Sequence, residues 1–181
     1  LPGGGQEQYE TMAEATRLVA EKHPVVMQIV GDVFGRERDW LDAFQRRHRL
    51  EGQITRTGWL PYEAVGRAIA ACQIGLIGFL PCPNHWIAAP NKCFNYLLYG
   101  LPMVAPDFSQ SHFAILAREG CAVLADPTSP ESYAAAICRM IEDQKGTARM
   151  AATARQLSQD KYRWKHMEPI LFDLYHRVLS D

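Results

Sequence analysis

The chain has 181 residues, 48% of them hydrophobic, enough for one well-filled core and too few to argue for two separate domains. Its 19 basic and 20 acidic residues leave a formal net charge of -1, so no global field selects nucleic acid or an anionic membrane, and any anion site has to be local. The five cysteines, Cys72, Cys82, Cys93, Cys121 and Cys138, include no close pair, which points to free thiols in a reducing, cytoplasmic setting rather than a disulfide framework or a zinc site. No apolar run approaches the roughly 20 residues that span a bilayer, and no stretch reads as a signal peptide, so a soluble protein is expected. The start on Leu1, Pro2 and Gly3 rather than on Met reads as an excised fragment or a processed product.

Hydrophobic spacing predicts a helix over 6–22, with Tyr9, Met12, Ala13, Thr16 and Val19 on one side. A β-branched apolar run over 25–30 reads as a buried strand that stops at Gly31 and Asp32. Next come a helix over 37–49 with Trp40, Leu41 and Phe44 inward, a strand over 53–59, and a helix that Pro61 opens and that carries Val65, Ala68, Ile69 and Cys72. The uninterrupted apolar run 74–80 is the best buried strand of the chain, and 81–89 reads as an irregular loop on its carboxyl side. A short helix follows, with Pro90 in its first turn, Phe94, Leu97 and Leu98 on one face, and Gly100 as a left-handed stop before a strand over 102–105. The remaining elements are a helix over 109–119 capped by Ser109, a strand over 121–125, a helix capped by Ser129 and begun by Pro130, a helix over 147–159, and a last helix over 164–179 with Pro169 as a kink. Strands alternating with helices imply one α/β domain over 1–181, a three-layer sandwich whose parallel sheet carries helices on both faces.

In such a sheet, ligands bind outside the carboxyl ends of the strands. That edge collects Gly31 and Asp32, then Gly58, Trp59 and Leu60, then the 81–89 loop with His85. Between Ala68 and Pro106 the only formally charged side chain is Lys92. It lies in the first turn of a helix, the positive end of the dipole, where a cation is disfavoured and an anion would resolve the conflict. Free N–H groups at the helix start beside an ammonium suit a phosphate. Taken by itself, Lys92 reads equally as a side chain that snorkels to solvent at a helix end.

The order of Val-Val-Met-Gln-Ile-Val-Gly-Asp at 25–32, Gly-Trp-Leu-Pro at 58–61, Pro-Asn-Lys-Cys-Phe-Asn-Tyr-Leu-Leu-Tyr-Gly-Leu-Pro-Met-Val-Ala-Pro at 90–106 and Tyr-Arg-Trp at 162–164 resembles the C-terminal, donor-binding half of a group 1, family 4-like glycosyltransferase of GT-B fold. The resemblance covers about 6–179. It implies a Rossmann-like domain, one half of a GT-B fold, which binds a nucleotide-diphosphate sugar as substrate, and a retaining transfer that needs no metal and no cofactor. It implies that Gly31 and Asp32 approach the diphosphate, that Gly58, Trp59 and Leu60 border the base, and that Asn91 and Lys92 meet phosphate or sugar, Lys92 being the catalytic candidate. Asn95 stands where the family usually carries a glutamate for the ribose hydroxyls, a change worth about 1.5–3 kcal/mol if a charge-assisted hydrogen bond is lost. Ile87 occupies the place of an earlier glutamate, and the basic residues usual near the domain start have no counterpart in the acidic and neutral 1–10 segment. Arg36 and Arg38, just past the Gly31 turn, are candidates to compensate. The implied partners are the nucleotide-sugar donor and a missing N-terminal acceptor domain, on which 164–179 would dock and through which peripheral membrane contact would arise, in a polysaccharide biosynthesis role.

Two other readings compete. A non-catalytic binding or scaffolding module of the same fold is favoured by Asn95 and the acidic start, and a sugar-nucleotide epimerase of the same architecture would require carboxylates and histidines in the cleft. His85 next to Trp86 reads more simply as structural than as a sugar ligand. A triad of Ser109, His112 and Asp107 lacks the Gly-x-Ser-x-Gly elbow, and no dinucleotide or Walker-type loop follows any strand.

Overall fold

A computed structural model of the protein describes residues 4–108 and 111–179, with only the backbone of 4–7. In chain order it forms α1 (Gly4–Ala20), β1 (Met27–Ile29), α2 (Gly35–His48), β2 (Ile54–Arg56), α3 (Tyr62–Ala70), β3 (Gly75–Leu76), α4 (Pro83–Trp86), α5 (Asn91–Tyr99), β4 (Met103–Pro106), α6 (His112–Arg118), β5 (Ala122–Ala125), α7 (Pro130–Glu142), α8 (Gln144–Asp160) and α9 (Trp164–Leu179). All strand pairs are parallel. They form two ladders, β1-β2 and β3-β4-β5, where the apolar runs predict one sheet. The ladders share a core nonetheless: Met27 of β1 packs with Ile74 and Leu76 against the cluster of Met12, Val19, Val104 and Tyr133.

The strands are shorter than the apolar runs that contain them. In 74–80 only Gly75 and Leu76 pair as strand, although the Ile77 N–H still donates to the Val104 carbonyl at 3.0 Å. The partner strand ends in Pro106, which has no N–H to extend a ladder.

Strand β4 is the centre of the molecule, with all four residues buried. Successive strand side chains point to opposite faces. Val104 accordingly joins the α1 and α7 cluster, whereas Met103 and Ala105 join the cluster of Cys93 and Leu97 from α5, Phe113 and Leu116 from α6, and Ala154 from α8. Helices therefore cover both faces, the Rossmann-like α/β sandwich expected. A third cluster of Ala13, Val33, Leu41, Leu50 and Ile54 ties α2 and β2 to α1. Tyr133 is fully buried in α7, and its hydroxyl donates to the Ile77 carbonyl at 2.7 Å, which links the helix layer to the end of β3.

Local chemistry sets the helix ends. Ser129 caps α7 ahead of Pro130, as its spacing predicts. Ser111, not Ser109, caps α6 by accepting the Ala114 N–H; Ser109 lies outside the described residues, as do Leu1, Pro2 and Gly3. Helix α8 begins three residues before the predicted 147 because Asp143 accepts the Gly146 N–H. Residues 81–89 contain the single turn α4 rather than only irregular loop. In α5, Cys93 and Leu97 form the buried face, one helical turn apart, while Leu98 is 46% exposed and does not join them. Helix α9 runs through Pro169 and buries none of its residues. Among the described residues no helix is long and apolar enough to cross a membrane.

Candidate functional site

Two turns leave the β1-β2 ladder side by side. Gly31 follows β1 with φ 127°, and Gly58 follows β2 with φ 67°, both in the region that disfavours a side chain. At each, the space a Cβ would occupy is open, with nothing within 4 Å, so the bare backbone faces free volume. Thr57 joins them: its Oγ accepts the Gly31 N–H at 3.0 Å and donates to the Gly58 carbonyl at 2.9 Å. The Thr57 N–H donates in turn to the Ile29 carbonyl at 3.0 Å. Asp32 is half-buried and its carboxylate accepts the Val33 N–H at 2.8 Å, which turns it back onto its own backbone. Trp59 is 85% exposed, Leu60 is half-buried, and Arg36 is exposed in the first turn of α2.

The second group hangs from the carboxyl end of β3. Pro90 takes the cap position of α5, one residue before the first turn where the sequence placed it, and no side chain caps this helix. A proline there has no hydroxyl or amide to offer, so the first N–H groups, those of Asn91 and Lys92, point outward without a side-chain acceptor. Gly100 closes the same helix with φ 67°, its N–H donating to the Leu97 carbonyl at 3.0 Å. Asn91, Lys92 and Asn95 are exposed, and Asn95 stands one turn after Lys92 on the same side.

The Lys92 Nζ lies 5.1 Å from the centroid of the Phe79 ring. Dense surrounding protein partly desolvates this ammonium and lowers its pKa from the ordinary lysine value, while the side chain keeps access to solvent. His85 stacks on the same ring, centroids 4.3 Å apart and planes 15° apart. Its Nδ1 lies 2.7 Å from the Leu80 carbonyl, an acceptor, so that nitrogen carries the proton and donates. Cys93, next to Lys92, is fully buried and its thiol is pushed up to about 12, mainly by burial, which keeps it protonated and unreactive at neutral pH.

The described contacts form two separate groups: the Gly31 and Gly58 turns stapled by Thr57, and Lys92 over Phe79 at the start of α5, a helix without a side-chain cap. Of the two, the α5 start is the one whose first N–H groups have no side-chain acceptor and stand beside a cation, a combination suited to an anion, whereas the Gly31 N–H is already taken by Thr57. Thr57 and Phe79 contact the candidate residues Gly31, Gly58 and Lys92 and were not singled out from the sequence. The signal for Thr57 was its position directly before Gly58. For Phe79 it was period-two spacing from Gly75 and Ile77, which put the ring at the mouth of the strand.

The fold is the Rossmann-like α/β arrangement found in the halves of GT-B glycosyltransferases. The family model described as glycosyl transferases group 1 matches residues 4–143, and the chain belongs to that family. No curated protein sequence matches it. Among solved structures, the sucrose-phosphate synthase of Thermosynechococcus elongatus superposes with a TM-score of 0.77 at 16% identity, over 95% of this chain and 44% of that one. The C-terminal domain of the group 1 glycosyl transferase LpcC from Francisella tularensis gives 0.75 at 17% identity, over 88% and 81%. Anabaena Alr3699/HepE, solved with UDP-glucose, gives 0.74 at 23% identity, over 97% and 46%. The chain spans less than half the length of the synthase and of the Anabaena protein.

Proposed function

We propose that this chain is the donor-binding half of a retaining, metal-independent glycosyltransferase that transfers a sugar from a nucleotide-diphosphate sugar to an acceptor held by an N-terminal domain. The observation that carries the reading is the first turn of α5, where N–H groups without a side-chain cap and Lys92 occur together in a stretch with no other formal charge. The diphosphate leaves with its negative charge increasing, so groups already oriented towards it stabilise the transition state more than the ground state. Lys92 supplies the charge, the α5 start supplies donors, and the Gly31 turn lets backbone approach the phosphates without a side chain in the way. Trp59 and the Gly58 turn border the base, and Asn95 offers an amide to the ribose. The solved relative that holds UDP-glucose supports a donor of this class. Helix α9, none of whose residues is fully buried, docks on the N-terminal domain. Five unpaired cysteines accord with a cytoplasmic setting.

Calorimetric titration with UDP, GDP and ADP, repeated on Lys92→Ala, tests the proposal. Binding of one nucleotide is expected, weakened in the variant. Absence of binding to all three at millimolar concentration refutes the donor site, and binding unchanged in Lys92→Ala removes that residue from its role. A second reading, a non-catalytic module of the same fold, is favoured by Asn95, whose neutral amide replaces the expected carboxylate. Loss of all nucleotide binding with the fold intact would select it.

A further inference from the structure

A cation that binds an anion has to be held in place without being neutralised. A carboxylate partner would orient Lys92 but would also cancel its charge. Among the described residues no carboxylate pairs with Lys92, and the sequence around it, from Ala68 to Pro106, contains no acid at all. An aromatic face does the alternative: its quadrupole attracts the ammonium and leaves the full positive charge for a ligand.

We propose that Phe79 is the positioning residue for Lys92, an aromatic platform that fixes the ammonium at the start of α5. The inference rests on the donor-site reading above. Phe79 is itself immobilised from two further directions. The fully buried Phe113 meets it edge to face, centroids 6.1 Å apart and planes at 74°. His85 stacks on it at 4.3 Å and is anchored in turn by the hydrogen bond from its Nδ1 to the Leu80 carbonyl. The ring also packs against the core cluster that includes Cys93 and Leu97, the buried face of α5, so platform and lysine backbone belong to one rigid unit. Lys92 has a flexible four-carbon stem, and holding its head removes conformational freedom before the ligand arrives, which lowers the entropy cost of binding. His85 thereby has a role as a buttress of the platform rather than as a sugar ligand.

A double-mutant cycle in the chain tests this, with inorganic pyrophosphate and UDP as probes, on Phe79→Leu, Lys92→Met and the pair. Phe79→Leu is expected to weaken binding by about tenfold in the wild-type background and by less than about twofold in Lys92→Met, because the ring acts through the ammonium. Phe79→Trp, which keeps a π face, is expected to restore affinity to within about threefold of wild type. Equal weakening by Phe79→Leu in both backgrounds, or none in either, overturns the proposal.

A second readout is independent of any ligand. In ¹H–¹³C spectra the ring current is expected to displace the ε-methylene protons of Lys92 upfield of the other lysines, and Phe79→Leu returns them to the ordinary position. A Lys92 signal at the ordinary position in the wild type overturns the platform. A displaced signal in a chain that binds neither probe leaves the platform standing and refutes the donor site.

Discussion

Replacing Tyr133 by Phe deletes one oxygen atom from the middle of the protein. The phenol is fully buried, its hydroxyl donates to the Ile77 carbonyl at 2.7 Å, and the ring fills space between α7 and the strands. Phenylalanine keeps the ring, so the change isolates the hydrogen bond. A buried acceptor left without its donor costs about 1–3 kcal/mol. In a chain of this size each kcal/mol lowers Tm by roughly 2–4 °C, so a loss near 2 kcal/mol corresponds to a fall of about 4–8 °C. Scanning calorimetry reads this directly, and urea unfolding should give a lower midpoint with an unchanged slope, because the surface exposed on unfolding is the same. A fall below about 1 °C would mean that another donor satisfies the carbonyl, and would refute the view that this bond fastens α7 to the end of β3.

Two further outcomes follow from the same contacts. Thr57→Val retains the shape of the side chain but removes the bond that joins the Gly31 and Gly58 turns; it is expected to lower stability by about 1 kcal/mol in urea unfolding and to weaken nucleotide binding, whereas Thr57→Ser restores both. The pKa of His112 is held below its ordinary value, chiefly by burial: its Nε2 is enclosed without a hydrogen-bond partner, and its ring lies between Phe94 and Tyr162, beside Glu119 and Lys161. The folded state resists protonating it, so this contribution to stability is present above the unfolded histidine pKa of about 6.5 and is lost as pH falls further. Unfolding midpoints measured from pH 8 down to pH 5 should therefore diverge, wild type losing more than His112→Phe; parallel curves would refute the assignment.

Much of this was written in local sequence, where a residue's own chemistry decides. Gly100 ends α5 in the left-handed region, and Ser129 with Pro130 opens α7, because caps depend on a few adjacent atoms. Strand lengths were not legible, since pairing depends on a partner: the apolar run 74–80 cannot announce that Pro106 will close the neighbouring strand. Ser109 and Ser111 both satisfy the capping rule, and only the Ala114 N–H chooses between them. In the site, Gly31, Gly58 and Lys92 stood out because glycine at a strand end and a lone charge are rare local events. Thr57 and Phe79 did not, since their roles arise from contacts with Gly31 and Lys92, 26 and 13 positions away in the chain.

The 16 residues of α9 follow a segment fastened to Glu119, which accepts from the Tyr162 hydroxyl at 2.9 Å and from Lys161. Past that anchor the helix buries no residue fully, only His166 and Leu171 being half-buried, and isolated helices of this length are marginal in water even without an internal proline. Its amide protons should therefore exchange with solvent far faster than those of α7, although both are continuous helices by shape. The helical order of this last segment is a property of its surroundings, and a measurement of exchange along α9 would read out contact with a covering surface residue by residue.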